Sequence, residues 1–299
     1  MGEPGPQVRR RAGGGVARSA ALTGLLLGVG ALAALSWGLT TLRDGSPPPP
    51  PTTTRAAAPR KPVLRIVFPE GFTRRQMAER IAAVNEIAKR KRKVTTKLSP
   101  KAYLRLTKRG KAPRGFGRRR VPRLEGFLFP ATYEFTEDTT TRGLVHKQLQ
   151  AFELAWSRLN LRYARSKNLD AYDVLIIASM VEKEVLVPRE RALVAAVIYN
   201  RLRLDLPLGI DATIRYGLGV PPTESLHRSE LDDPNAYNTR IHPGLPPTPI
   251  SNPGLAAMEA AAHPARVDYL YFVRKADCKS HFFTASESEF YRRVAGRRC

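Results

Sequence analysis

The chain has 299 residues, 42% of them hydrophobic, enough for one or two domains with cores of ordinary size. Wholly disordered, collagen-like and polytopic membrane architectures are excluded on that basis. Fifty Lys and Arg against 26 Asp and Glu give a formal charge of +24, which implies a polyanionic neighbour without saying whether it is lipid, nucleic acid or an acidic polymer.

Residues 1–19 include Arg9, Arg10, Arg11 and Arg18, and residues 20–42 carry no charged side chain. As a helix the second stretch would span about 35 Å, more than a hydrocarbon core of about 30 Å. The excess of positive charge before it predicts a single-pass anchor in the cell membrane, with 1–19 cytoplasmic and everything after Leu42 outside. A cleaved signal peptide is the rival reading, although its apolar region normally runs only about 7–15 residues. Residues 43–62 contain Pro47 to Pro51 and read as a semi-rigid polyproline spacer.

Residues 63–122 form a basic stretch. From Arg60 to Arg123, 22 Lys and Arg face only Glu70, Glu79 and Glu86, so this region carries +19 of the net charge. The alternation over Val63–Phe68 predicts a strand, and Thr73 with Gln76 has the spacing of a capping box. A helix should follow, with Met77, Ile81, Val84 and Ile87 or Ala88 as its apolar stripe. From residue 123 to 299 the charge is balanced and the apolar pattern dense. Helices are expected at 139–166, at 170–186 with Asp170 as N-cap, and from Pro188 to about Arg203. Residues 205–253, rich in Pro, Gly, Asn and Asp, predict loops around short helices. A helix at 254–262, strands at Tyr269–Arg274 and His281–Thr284, and a last helix capped at Ser286 complete an α+β fold dominated by helix.

The chemistry concentrates in Leu175–Glu184, an apolar helix that ends in Glu182-Lys183-Glu184. At about 100° per residue the two acids point nearly oppositely. Glu184 continues the face of Ile177 and Val181, where poor hydration raises a carboxyl pKa towards the range useful for a general acid. The C-terminal end of the helix dipole pushes the same way. A solvated helix terminus is the plainer account of such a run. Cys278 and Cys299 are too few for a disulfide framework and are not spaced as zinc ligands; neither metal nor cofactor is expected.

Six blocks occur in order, with Tyr269 to Val273 (YLYFV) near the end: Leu124 to Tyr133 (LEGFLFPATY); Ala178 to Glu184 (ASMVEKE); Tyr199-Asn200-Arg201-Leu202; Pro207 to Gly217, including Asp211 and Tyr216; Tyr237-Asn238-Thr239; and Gly244 to Gly254. This order resembles the endolytic murein (peptidoglycan) transglycosylase family, MltG or YceG-like, over about residues 120–294 and weakly over 63–106. The resemblance implies a membrane-anchored enzyme that cuts peptidoglycan glycan strands, with wall synthases as neighbours and residues 63–122 as a truncated LysM-like module. It places the catalytic acid on Glu184 and substrate contacts on Glu125, Asn200, Asp211, Tyr216 and Asn238. Each of these has a plainer reading as a turn, cap or core residue, with Asp211 as fit for an N-cap as for a ligand. Two positions depart from the family pattern: Gly209 stands where Gln is usual, and Ala212 where Pro is usual. A non-catalytic wall-binding scaffold is the competing function. An extracytoplasmic nucleic-acid binder is weaker still, because the basic stretch has no interleaved aromatics, and no nucleic-acid partner is expected.

Overall fold

The computed structural model describes residues 61–108, 110–116 and 120–295. The expected cytoplasmic tail, the expected membrane span at 20–42 and all but the last two residues of the expected spacer lie outside the described residues. Among the described residues no helix is long and apolar enough to cross a membrane.

Strand β1 (Leu64–Val67) leads through the Pro69–Gly71 turn into α1 (Arg74–Arg92). The expected capping box is formed: Thr73 Oγ1 accepts the Gln76 N–H at 3.2 Å, and Gln76 Oε1 accepts the Thr73 N–H at 2.9 Å. Helix α1 buries Met77, Ala78, Ile81 and Ala88 and ends at Lys93, which is left-handed with φ 56°. Helix α2 (Pro100–Lys108) packs back on it, followed by the short strands β2 (Gly110–Lys111) and β3 (Arg120–Val121), which pair with each other. Strand β4 (Thr132–Phe135) then pairs antiparallel with β1, with Ile66 opposite Tyr133. This pairing joins the basic stretch to the chain that follows, and the contacts gather the described residues into one compact unit.

The next expected helix is divided into α3 (Thr141–Trp156) and α4 (Arg162–Ser166). Ser157 Oγ donates to Leu154 O and Asn160 Oδ1 accepts the Arg162 N–H, so side chains take over main-chain partners at the break. Helix α5 (Ala171–Glu184) starts on Asp170, whose carboxylate accepts from Tyr172 N and Asp173 N. Every residue from Val174 to Val181 is buried, because α9 (Leu255–Ala262) and α6 (Arg191–Arg203) cover it. A single 3-10 turn at Pro188–Glu190 connects α5 to α6. The loop-rich region contains α7 (Asp211–Leu218) and α8 (Arg228–Leu231). The hairpin β5 (Tyr271–Arg274) and β6 (His281–Thr284) precedes α10 (Glu287–Ala295). The first of these strands begins two residues later than the sequence suggests, since α6 side chains bind the carbonyls of Val267, Tyr269 and Leu270.

One buried polar side chain ties three loops together. Asn252 is fully buried; its Oδ1 accepts the N–H groups of Gly126 and Leu128 at 2.9 and 3.0 Å. Its Nδ2 donates to Phe72 O at 2.8 Å and to Glu125 Oε1 at 2.7 Å. Gly126 has φ +89°, and a Cβ there would lie 2.7 Å from Pro249, so the turn requires glycine. Truncating Asn252 to Ala would leave the buried N–H groups of Gly126 and Leu128 without this acceptor and take a donor from the buried Glu125 Oε1. Asn252→Ala should therefore destabilise the fold by about 2–5 kcal/mol, read as a lowered denaturant midpoint or Tm.

Candidate active site

Helix α5 emerges from the core at its acidic end, where three glutamates each meet the start of a different helix. Glu182 Oε2 accepts the N–H of Gly254, the residue preceding α9, at 3.0 Å. Glu184 accepts the N–H of Ala212 in the first turn of α7. Glu125 Oε1 accepts the N–H of Arg74, the first residue of α1, at 2.9 Å. These N–H groups have no partner inside their own helices, and the positive ends of the dipoles favour an anion. As expected, the two acids of the α5 terminus diverge, one towards α9 and one towards α7.

Burial opposes that attraction. The carboxyl of Glu184 is pushed up to about 7, chiefly by burial and next by the Asp211 charge; Arg274, the Ala212 N–H and Lys183 pull the other way. Glu125 is also pushed up to about 7 by burial, against the Arg74 N–H, the Tyr216 hydroxyl, the Arg74 charge and Asn252. Glu182 is raised by burial and by nearby Glu70, and held back by the Gly254 N–H, Arg191 and Lys183. Access separates the two strongest cases. Glu125 is 1% exposed with both oxygens hydrogen-bonded, whereas Glu184 is half-buried.

The structure distributes the other candidate residues unequally. Asp211 sits beside Glu184 as the first residue of α7; it makes no capping bond of its own, and its Oδ1 accepts Arg240 Nε and Nη2 at 3.1 and 2.6 Å. Tyr216, one turn further along α7, donates to Glu125 Oε2 at 3.1 Å and packs edge-on against Tyr237. Asn200 Nδ2 donates to Val267 O and Tyr269 O at 2.8 and 3.0 Å. Asn238 is fully buried, with Nδ2 donating to Leu231 O and Asp233 O and Oδ1 accepting the Arg240 N–H. Glu184 and Asp211 thus share one face, Glu125 and Tyr216 form a layer beneath α7, and the two asparagines hold loops. Tyr199, with its hydroxyl donating to Ala261 O at 2.9 Å, is a core residue.

Sequence reasoning passed over Asn252, Arg240, Arg274 and Glu190. Asn252 stands in the Ser251-Asn252-Pro253-Gly254 run, where an amide between turn residues signals backbone bonding; the two arginines gave no local signal. Among the described residues no group of three or more His, Cys, Asp or Glu side chains could hold a metal ion.

Comparison with known proteins identifies the family. The chain is 36% identical over 155 residues to an endolytic murein transglycosylase of Bacillus subtilis, a match covering 52% of this chain and 42% of the relative. It is 37% identical over 179 residues to an endolytic murein transglycosylase of Streptococcus pneumoniae, covering 58% of this chain and 32% of the relative. The chain thus spans less than half the length of these relatives. A crystal structure of a yceG-like protein from Listeria monocytogenes superposes with a TM-score of 0.61 at 28% identity, covering 76% of this chain and 74% of the other. Residues 40–296 match the YceG-like family, and the chain belongs to it.

Proposed function

We propose that this chain is an endolytic lytic transglycosylase that cuts the bond between N-acetylmuramic acid and N-acetylglucosamine in peptidoglycan, with Glu184 as its single acid–base group. The observation that carries this reading is the state of Glu184: a half-buried carboxyl raised to about 7, beside Asp211, at the mouth of α7. The names of the relatives supply the substrate. Anchoring through residues 20–42, action on nascent strands to end their elongation, and wall synthases as neighbours belong to the same proposal.

Glycosidases that use water need two carboxyl groups flanking the bond. A transglycosylase of this kind needs one, because the substrate supplies its own nucleophile. Protonated Glu184 gives its proton to the glycosidic oxygen as the muramoyl C1–O bond breaks, and the N-acetylglucosamine half leaves with a free hydroxyl. The muramoyl 6-hydroxyl then bonds to C1, and its proton returns to the Glu184 carboxylate. The product ends in 1,6-anhydromuramic acid, and the acid is regenerated without water. Burial favours the protonated starting state. The Ala212 N–H and Arg274 stabilise the carboxylate that exists between the two proton transfers. Asp211, half-exposed and held by Arg240, faces the same side and is placed to bind sugar hydroxyls. Glu125, Tyr216, Asn200 and Asn238 serve by fixing α1, α7 and the loops around the site.

Glu184→Gln, nearly isosteric, should abolish release of 1,6-anhydromuramoyl products from purified glycan strands while the protein stays folded. Glu182→Gln should keep substantial activity; the reverse pair of results would move the acid two residues upstream. The reactive form is protonated, so kcat/KM should be high below about pH 7 and fall as pH rises through that value. Ala212→Pro should be tolerated in the first turn of α7 and removes one N–H from Glu184. The falling limb of its pH profile should move to higher pH.

A further inference from the structure

Helix α1 ends in consecutive cations that the fold does not use. Lys89, Arg90, Lys91, Arg92 and Lys93 are all exposed, and none forms an ion pair among the described residues. One or two cations would serve the negative end of the helix dipole. A full run circles the helix, and cations three or four residues apart repel one another. The surrounding acids do not relieve them. Arg65 holds Glu134 at 2.9 Å, Lys97 holds Asp138 at 2.8 Å, and Lys61 holds Glu137 at 3.0 Å. Glu86 shares an open groove with Lys89, Arg90, Lys93 and Thr95 and pairs with none of these cations.

Two exposed apolar side chains stand among these charges. Ile87, 49% exposed, lies three and four residues before Arg90 and Lys91 on α1, hence on their face. Val63, 59% exposed, lines a second groove with Leu64, Arg65, Arg92 and Glu134. The basic end of α1 therefore adjoins the first described residues, where the chain enters β1. Residues 43–62 can span at most about 70 Å, so an anchor at 20–42 would keep this end within reach of lipid. A soluble polyanion engages only the charges. Cations with apolar side chains between them suit a headgroup layer, which takes both.

We infer that the C-terminal end of α1, with Val63 beside it, rests on the anionic headgroup layer of a membrane. This contact goes beyond the transglycosylase reading and does not depend on it. Each cation within a Debye length of about 8 Å strengthens the attraction about fivefold. Helix α1 then acts as a strut. Its first residue, Arg74, meets Glu125 through its N–H, and its 19 residues span about 28 Å. The layer around Glu125 is thereby held within about one helix length of the lipid.

The test is amide hydrogen exchange over residues 85–97 of the full chain, incorporated into vesicles of phosphatidylcholine alone or with about one-third phosphatidylglycerol. Exchange should slow about tenfold with the anionic lipid and recover in about 0.5 M salt, while residues 219–232 stay unchanged. Lys93 is left-handed with φ 56°, so glycine is at ease there and Lys89→Gln/Lys91→Gln/Lys93→Gly should keep its Tm. That variant should lose the protection, and Lys89→Arg/Lys91→Arg should retain it. Ile87→Ser should lose part of the protection by lipid and none of that by soluble polyphosphate. Equal exchange in the two vesicles overturns the contact, even if the triple variant fails to fold. So does an Ile87→Ser variant protected as fully as the parent. Stronger protection by polyphosphate than by phosphatidylglycerol, at equal phosphate concentration, overturns it too and assigns the patch to an acidic polymer. None of these results touches the identity of the acid, which Glu184→Gln decides.

Discussion

Three helices begin at three carboxylates, and those carboxylates surround the end of one buried helix. Helix α5 is buried on every side from Val174 to Val181, with Ser179 its one polar side chain there, so its last turn is where ionisable groups first appear. Glu182 and Glu184 leave that turn in opposite directions and meet the unsatisfied N–H groups before α9 and in α7. Glu125 does the same for α1 from the β3–β4 connection. The arrangement is a contest between helix dipoles, which favour the anion by about 0.3–1 kcal/mol each, and desolvation, which disfavours it. At Glu184 and Glu125 desolvation prevails, leaving both near neutrality.

The two near-neutral acids have different tasks because their surroundings differ. Glu125 is sealed under Asn252, Arg74 and Tyr216 and organises the fold around it. Glu184 is half-buried beside Asp211 and keeps an exposed side. Helix α7 links the two, taking Glu184 at its first turn and reaching Glu125 through Tyr216. Ala212 falls at that link, because alanine supplies an N–H that proline would lack.

Periodicity and capping made much of the fold legible. The Thr73 capping box, the Asp170 N-cap, the apolar run of α5 and the strands around residues 271–274 and 281–284 all follow from local residue pattern. The divergence of Glu182 and Glu184 also follows from helical geometry alone. What local pattern could not show was long-range: that the basic strand β1 pairs with β4, that Asn252 closes a knot across 126 residues to Gly126, and that Asn200 and Asn238 face main chain. A polar side chain looks the same in sequence whether it binds a sugar or a loop carbonyl. Only the folded neighbourhood tells them apart, and for Asn200, Asn238 and Tyr216 that neighbourhood is protein.

The central claim is that Glu184 is held protonated near neutrality by its seat at the end of α5. The most direct measurement is a carbon-13 NMR titration of its carboxyl in the folded protein, assigned by the signal lost in Glu184→Gln. The account requires a midpoint at about 7. A midpoint at the ordinary glutamate value of about 4.3 would contradict it.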